Sequence, residues 1–259
     1  MQSTLTRRGE TMGMRILKPA ERLIVAADFK PDPKQGQGRD WVRGQVLTLA
    51  ESLKGTGVYI KVNSVLRACG YDLVGKIQGR GLRVFADLKL HDISETLSTD
   101  GVLLQEFRPE LLTVVCTAGI TAMRALKAEL PYTEVLGVTV LTSLGNADTR
   151  AVFTCSTEGA VLRLAQLAED AAIDGLVLSA KEAETIRANF GIMMTLNTPG
   201  IRPEWAIVVG DDQNPERVMT PAKAIRAGAD RIVVGRPIVR AKEPYEATMR
   251  IIEEIASMA

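Results

Sequence analysis

The 259 residues give room for one large domain or two smaller ones, and 46 % hydrophobic with 24 % charged residues is the balance of a soluble globular chain. A formal net charge of +1 supplies no broad field to recruit nucleic acid or an anionic membrane surface, so neither is an expected partner. A small anionic ligand stays open, because a few local Arg and Lys would suffice for it.

In chain order, residues 1–18 begin MQSTLTRRGETMGMR, without the apolar centre of a signal peptide, and read as a flexible lead-in. Residues 19–259 read as one domain. Within it, short apolar runs rich in β-formers recur: LIVAADF (23–29), VYIKV (58–62), RVFADLKL (83–90) and LLTVV (111–115). EVLGVTVL (134–141), GLVLS (175–179), IMMTLNT (192–198) and RIVVGRPI (231–238) follow. Several stay apolar until a polar residue near the C-terminal end, as in parallel strands buried on both faces. Between them lie stretches of helical period, among them RDWVRGQVLTLAESLKG, TEGAVLRLAQLAEDAAIDG and PAKAIRAGAD. KPDPKQGQGRD (30–40) reads as the loop after the first strand. Eight strands alternating with helices predict an α/β fold, a single (β/α)8 TIM barrel. A doubly wound open sheet is the alternative, but no GxGxxG follows the first strand. No run is long enough to span a membrane.

Cys69, Cys116 and Cys155 show no metal or redox spacing, and reduced thiols of a cytoplasmic protein are the simple reading. His91 is the sole histidine, which argues against multi-histidine metal sites and serine–histidine catalysis.

In such barrels the C-terminal strand ends carry the chemistry. The polar residues there are Asp28, Lys61, Asp87 with Lys89, Thr139 with Thr142, Asn197 and Arg236. Residues i and i+2 share a strand face, so Asp87 and Lys89 both point into the mouth, within reach of Lys61. Asp92 follows, where the chain turns toward the next helix. A structural salt-bridge network would use the same residues. Phosphate-binding features tip the balance: TPGIRP (198–203), GDDQNP (210–215) and VVGRPI (233–238) follow strands seven and eight, where barrels frequently bind phosphate. There Gly235 permits close backbone approach and Arg236 supplies a guanidinium fork.

Across residues 22 to about 255 the chain resembles the orotidine 5'-monophosphate decarboxylase family, bacterial branch. The motif D-x-K-x-x-D is met by Asp87, Lys89 and Asp92. AADF, IKV, TVLTS, TPGIRP, MTP and VVGRPI complete an ordered series. The resemblance implies a decarboxylase of the pyrimidine pathway that needs no cofactor and no metal. Lys61, Asp87, Lys89 and Asp92 would be a catalytic tetrad, with Lys89 the proton donor. Asp28 and Lys61 would contact the ribose of a nucleotide substrate. Asp92 and Thr96 would do so from the partner chain of a homodimer with shared sites. Thr142 would meet the pyrimidine, and Pro199, Arg202, Gln213, Gly235 and Arg236 would frame the phosphate. Three departures stand out: Asn63-Ser64 where the family often has glycine after KV, Ser94 where it commonly has proline, and an enlarged, apolar PEWAIVVGDD between Arg202 and Gln213. A sister class, including hexulose-phosphate synthase, shares the motif and uses magnesium, but resembles this chain less at Lys61, where it has glutamate. A barrel that only binds nucleotide phosphate is the remaining alternative.

Overall fold

The computed structural model describes residues 17–190, 194–206 and 219–258. Strands β1 (Leu23–Ala26), β2 (Tyr59–Val62), β3 (Arg83–Leu90), β4 (Leu111–Val115), β5 (Glu134–Val138), β6 (Gly175–Val177), β7 (Thr195–Thr198) and β8 (Arg231–Val234) each pair in parallel with the next. The ring closes where Leu23 and Val25 of β1 meet Ile232 and Val234 of β8. The eight apolar runs are thus the eight staves of the expected barrel. The ladders stop short of several runs, and the polar ends of those runs lie in the connecting segments. RIVVGRPI divides for a chemical reason. Pro237 has no N–H for a ladder and its φ suits a helix start, so Arg236–Val239 forms a helical turn.

Helices cover the outside: α1 (Arg39–Ser52), α2 (Ser64–Cys69), α3 (Asp72–Gln78), α4 (Ser94–Leu104), α5 (Ile120–Ala128) and α6 (Asn146–Phe153). They continue with α7 (Thr157–Asp170), α8 (Ala183–Phe190), α9 (Pro221–Arg226), α10 (Arg236–Val239) and α11 (Pro244–Ala256). Local chemistry fixes their starts. Ser156 caps α7 by accepting from the Gly159 N–H, and Thr220 caps α9, whose first residue is Pro221. No described helix is long and apolar enough to cross a membrane.

Strand alternation sorts the core into two layers. Outward residues such as Val25, Ile60, Val84 and Leu112 pack under the helices. Inward residues Ile24, Tyr59, Phe85, Leu111, Leu136 and Val233 fill the barrel. Gly175 belongs to the inward set: a Cβ there would lie 2.7 Å from the Thr195 carbonyl oxygen and nearer still to its hydroxyl.

The N-terminal end of the barrel is closed by charge. Arg231 of β8 makes a two-pronged ion pair with Glu134 of β5, both N–O distances 2.8 Å. The Tyr59 ring lies between Arg231 and Arg83, 5.3 and 5.6 Å from the two guanidinium carbons. Arg83 in turn pairs with buried Glu21 at 2.7 Å. Asn197 belongs to this floor and not to the mouth where the strand-end reading put it. Its side chain accepts from Arg231 at 3.3 Å and donates to the Leu176 carbonyl at 3.2 Å. Thr139 is likewise turned to the wall, donating to the Val177 carbonyl. For Asn197 the register decides: it stands opposite Arg231, the first residue of β8, and a one-letter pattern carries no register.

Arg231→Met should therefore cost about 3 kcal/mol, near the low end for breaking a buried pair because Glu134 keeps some solvent contact. Urea denaturation of the two proteins measures it; a loss below about 0.5 kcal/mol, the level of an ordinary surface change, would contradict the floor's role.

Candidate active site

The mouth is organised by an irregularity in β3. Ala86 pairs with Leu112 and Leu90 with Val114, so Asp87, Leu88 and Lys89 together oppose Thr113 alone. This bulge re-aims the side chains, as bulges beside functional sites commonly do. Lys89 takes φ +50°, a left-handed conformation that costs a non-glycine residue on the order of 1 kcal/mol. The bulge is anchored on both sides. The Lys89 N–H donates to the Thr113 hydroxyl at 2.9 Å, and Arg67 of α2 donates to the Leu88 carbonyl at 3.1 Å.

Three of the four expected tetrad residues meet here. Lys89 Nζ lies 2.7 Å from Asp87 Oδ2, and Lys61 Nζ lies 3.4 Å from the same oxygen. Lys61 also spans both oxygens of Asp28, at 3.0 and 2.9 Å. The other oxygen of Asp87 accepts from the Thr113 hydroxyl at 3.0 Å. Asp87 and Lys61 are only 7 % and 8 % exposed, so charge pairing and not solvent must hold them. Burial pushes the Asp87 carboxyl up, but Lys61, Lys89 and the hydrogen bonds from Lys89 and Thr113 outweigh it and leave its pKa below the usual value.

These groups face a cleft of about 580 Å³ at the C-terminal end of the barrel. Six basic side chains and two carboxylates line it, so the pocket is cationic although the chain as a whole is nearly neutral. Asp28, Thr142, Pro199, Arg202, Gly235 and Arg236 line this cleft. Gln213 lies outside the described residues. Asp92 and Thr96 do not line the cleft. Both are exposed at the start of α4, where Asp92 accepts from the Ile93 N–H at 2.7 Å. His91 is exposed too, 3.1 Å from the Thr117 hydroxyl. The three cysteines are free, and burial pushes the Cys116 thiol up to about 12, which leaves it unreactive.

Sequence reasoning missed four contributors. Lys30 comes from the first β–α connection and Trp41 from the first turn of α1, and both line the cleft, as does Arg240, four residues beyond Arg236. The i, i+4 spacing of the two arginines was the available signal for the last. Thr113 is fully buried, and its signal was a lone hydroxyl in the otherwise apolar LLTVV.

A closed parallel barrel with an Asp–Lys–Asp–Lys row at its C-terminal mouth defines a (β/α)8 enzyme built around D-x-K-x-x-D. A profile of the Orotidine 5'-phosphate decarboxylase / HUMPS family matches residues 21–251, and the chain belongs to that family. It is 40 % identical over 246 residues to an orotidine 5'-phosphate decarboxylase of Syntrophus aciditrophicus, covering 91 % of this chain and 93 % of that one. It is also 40 % identical over 245 residues to the enzyme of the same name from Afipia carboxidovorans, covering 92 % and 96 %. A crystal structure of orotidine 5'-phosphate decarboxylase from Lactobacillus acidophilus superposes with TM-score 0.74 at 27 % identity, over 91 % of this chain and 99 % of that one.

The lowered Asp87 pKa has a signed consequence. The unfolded chain takes up this proton first, so the stability from ionised Asp87 is complete above the unfolded pKa of about 3.9 and is lost as pH falls through the folded value. The stability of the wild type relative to Asp87→Asn, measured by urea denaturation, should be level at neutral pH and decline below about pH 4. A difference that instead grows on acidification would reverse the sign.

Proposed function

We propose that the protein decarboxylates orotidine 5'-monophosphate to uridine 5'-monophosphate and CO2 in de novo pyrimidine (UMP) synthesis. The observation that carries this reading is the buried Lys61–Asp87–Lys89 row in a cationic cleft. The C6–carboxylate bond breaks, CO2 leaves, and the electron pair stays on C6 of the pyrimidine. No carbonyl is attached to delocalise that pair as an ordinary enolate, so the site must meet it with a fixed positive charge. The Lys89 ammonium does this and then gives C6 a proton, with solvent restoring Nζ. Asp87 holds Lys89 in place and lies on the side of the leaving carboxylate. Arg202 and Arg236 suit the phosphate, whose binding energy can be used in the transition state although it is remote from C6.

The magnesium-using sister chemistry is disfavoured by Lys61. Its ammonium lies between Asp28 and Asp87, where it supplies positive charge and offers no oxygen to a hard cation. The functional unit is a homodimer in which Asp92 and Thr96 complete the partner's site. Their exposure beside the cleft-forming β3 supports this, as do the exposed apolar side chains of Ile93, Val102 and Leu103 on the same stretch.

Orotidine 5'-monophosphate added with excess chelator should lose its orotate absorbance. Lys89→Ala should abolish that change while still binding uridine 5'-monophosphate. An unchanged spectrum with the wild type would sink the decarboxylase reading.

The shared site has its own test. Lys89→Ala and Asp92→Ala, each inactive alone, are mixed under conditions of subunit exchange. A heterodimer then has one site with both defects and one with neither. Random pairing makes about half the dimers mixed, so about a quarter of wild-type activity should return. If Asp92 acted in its own chain, no activity would return despite confirmed exchange.

A further inference from the structure

The hydroxyl of Thr113 touches both working residues of β3 yet has no access to substrate, since the side chain is fully buried within β4. We propose that Thr113 is a positioning residue for turnover: it holds the Lys89 main chain and the Asp87 carboxylate in one fixed relation. The inference rests on the reading that Asp87 and Lys89 do the chemistry.

Three residues of β3 stand against one of β4, so the regular ladder cannot serve the bulge. The Lys89 N–H needs a partner outside that ladder, and Thr113 Oγ1 accepts its hydrogen bond. A hydroxyl has a single proton of its own. Asp87, as a carboxylate, can only accept, so the Thr113 proton points to Oδ1. The hydroxyl therefore accepts one bond and donates the other, and both run in the same fixed sense. They form a relay from the strained Lys89 backbone to Asp87, whose other oxygen is left for Lys89 Nζ and Lys61 Nζ. Each carboxylate oxygen of Asp87 has its own donors, Thr113 at Oδ1 and the two ammoniums at Oδ2, which fixes the rotation of the carboxylate. Arg67 grips the outer side of the bulge at the Leu88 carbonyl, so the inner side depends on Thr113. Valine has the same shape as threonine and could do neither task.

The variants Thr113→Val, Thr113→Ala and Thr113→Ser separate the hydroxyl from the volume. Val preserves shape without the hydroxyl, and Ser and Ala are matched in size and differ by it. Val and Ala should lower kcat by about tenfold or more, with KM and the Kd for uridine 5'-monophosphate within about threefold of wild type. Ser should keep kcat within about threefold. A role in folding alone would lower Tm and leave the kcat of the folded enzyme unchanged. A readout independent of turnover is hydrogen exchange at the Lys89 amide, which should quicken in Val and Ala but not in Ser. The proposal is overturned if Val and Ala keep wild-type kcat per folded molecule, if Ser loses as much as Ala, or if Lys89 exchange is the same in all. If Val does not fold, the Ser and Ala pair decides. Absence of wild-type turnover would instead count against the decarboxylase reading, leaving the exchange measurement to judge Thr113.

Discussion

The Asp87 carboxylate is the constraint around which the mouth of the barrel is arranged. A nearly buried anion is unstable unless opposite charge and hydrogen-bond donors replace the lost water. Here Lys61 from β2, Lys89 from β3 and Thr113 from β4 converge on its two oxygens. Three adjacent strands are thereby tied at one point, and Asp28 after β1 joins through Lys61. The same anion that needs the two ammoniums fixes where they stand. That gives the site fixed charges without reorganisation during a reaction, the condition under which electrostatic stabilisation is largest.

The two ends of the barrel use similar chemistry to different effect. At the floor, Arg231 and Glu134 pair with two parallel contacts while Tyr59, Arg83 and Glu21 extend the network, and the side chains fill the space. At the mouth, the ion pairs border an open cleft, and the strain at Lys89 is kept there. Inward apolar residues such as Ile24, Phe85 and Leu136 lie between the two charged layers. This division suits a barrel in which one end supports the fold and the other can vary with function.

The departures at Asn63, Ser64 and Ser94 fall at helix starts and not in the charge row. Asn63 is the N-cap of α2, its side chain accepting from the Ser64 N–H, and Ser64 is the first helical residue. Ser94 is the first residue of α4. Both positions tolerate polar residues because the first turn of a helix leaves N–H groups to satisfy.

The sequence by itself determined the architecture. Eight apolar runs alternating with amphipathic stretches permit few arrangements other than a closed parallel barrel, because each run must be covered on both faces. It also determined the charged motif, since Asp87, Lys89 and Lys61 stand where apolar strands end. The tertiary structure decided what depends on register and direction. The period-two rule places Asp87 and Lys89 on one face, but it assumes a regular strand, and only the pairing with β4 reveals the bulge that strains Lys89 and recruits Thr113. Asn197 and Thr139 look like mouth residues in one dimension and turn to the floor and the wall in three. Lys30, Trp41 and Arg240 reach the cleft only because loops and helix ends fold over the strand termini. Local pattern fixes what a strand is. The partner it pairs with, many residues away, fixes where its side chains point.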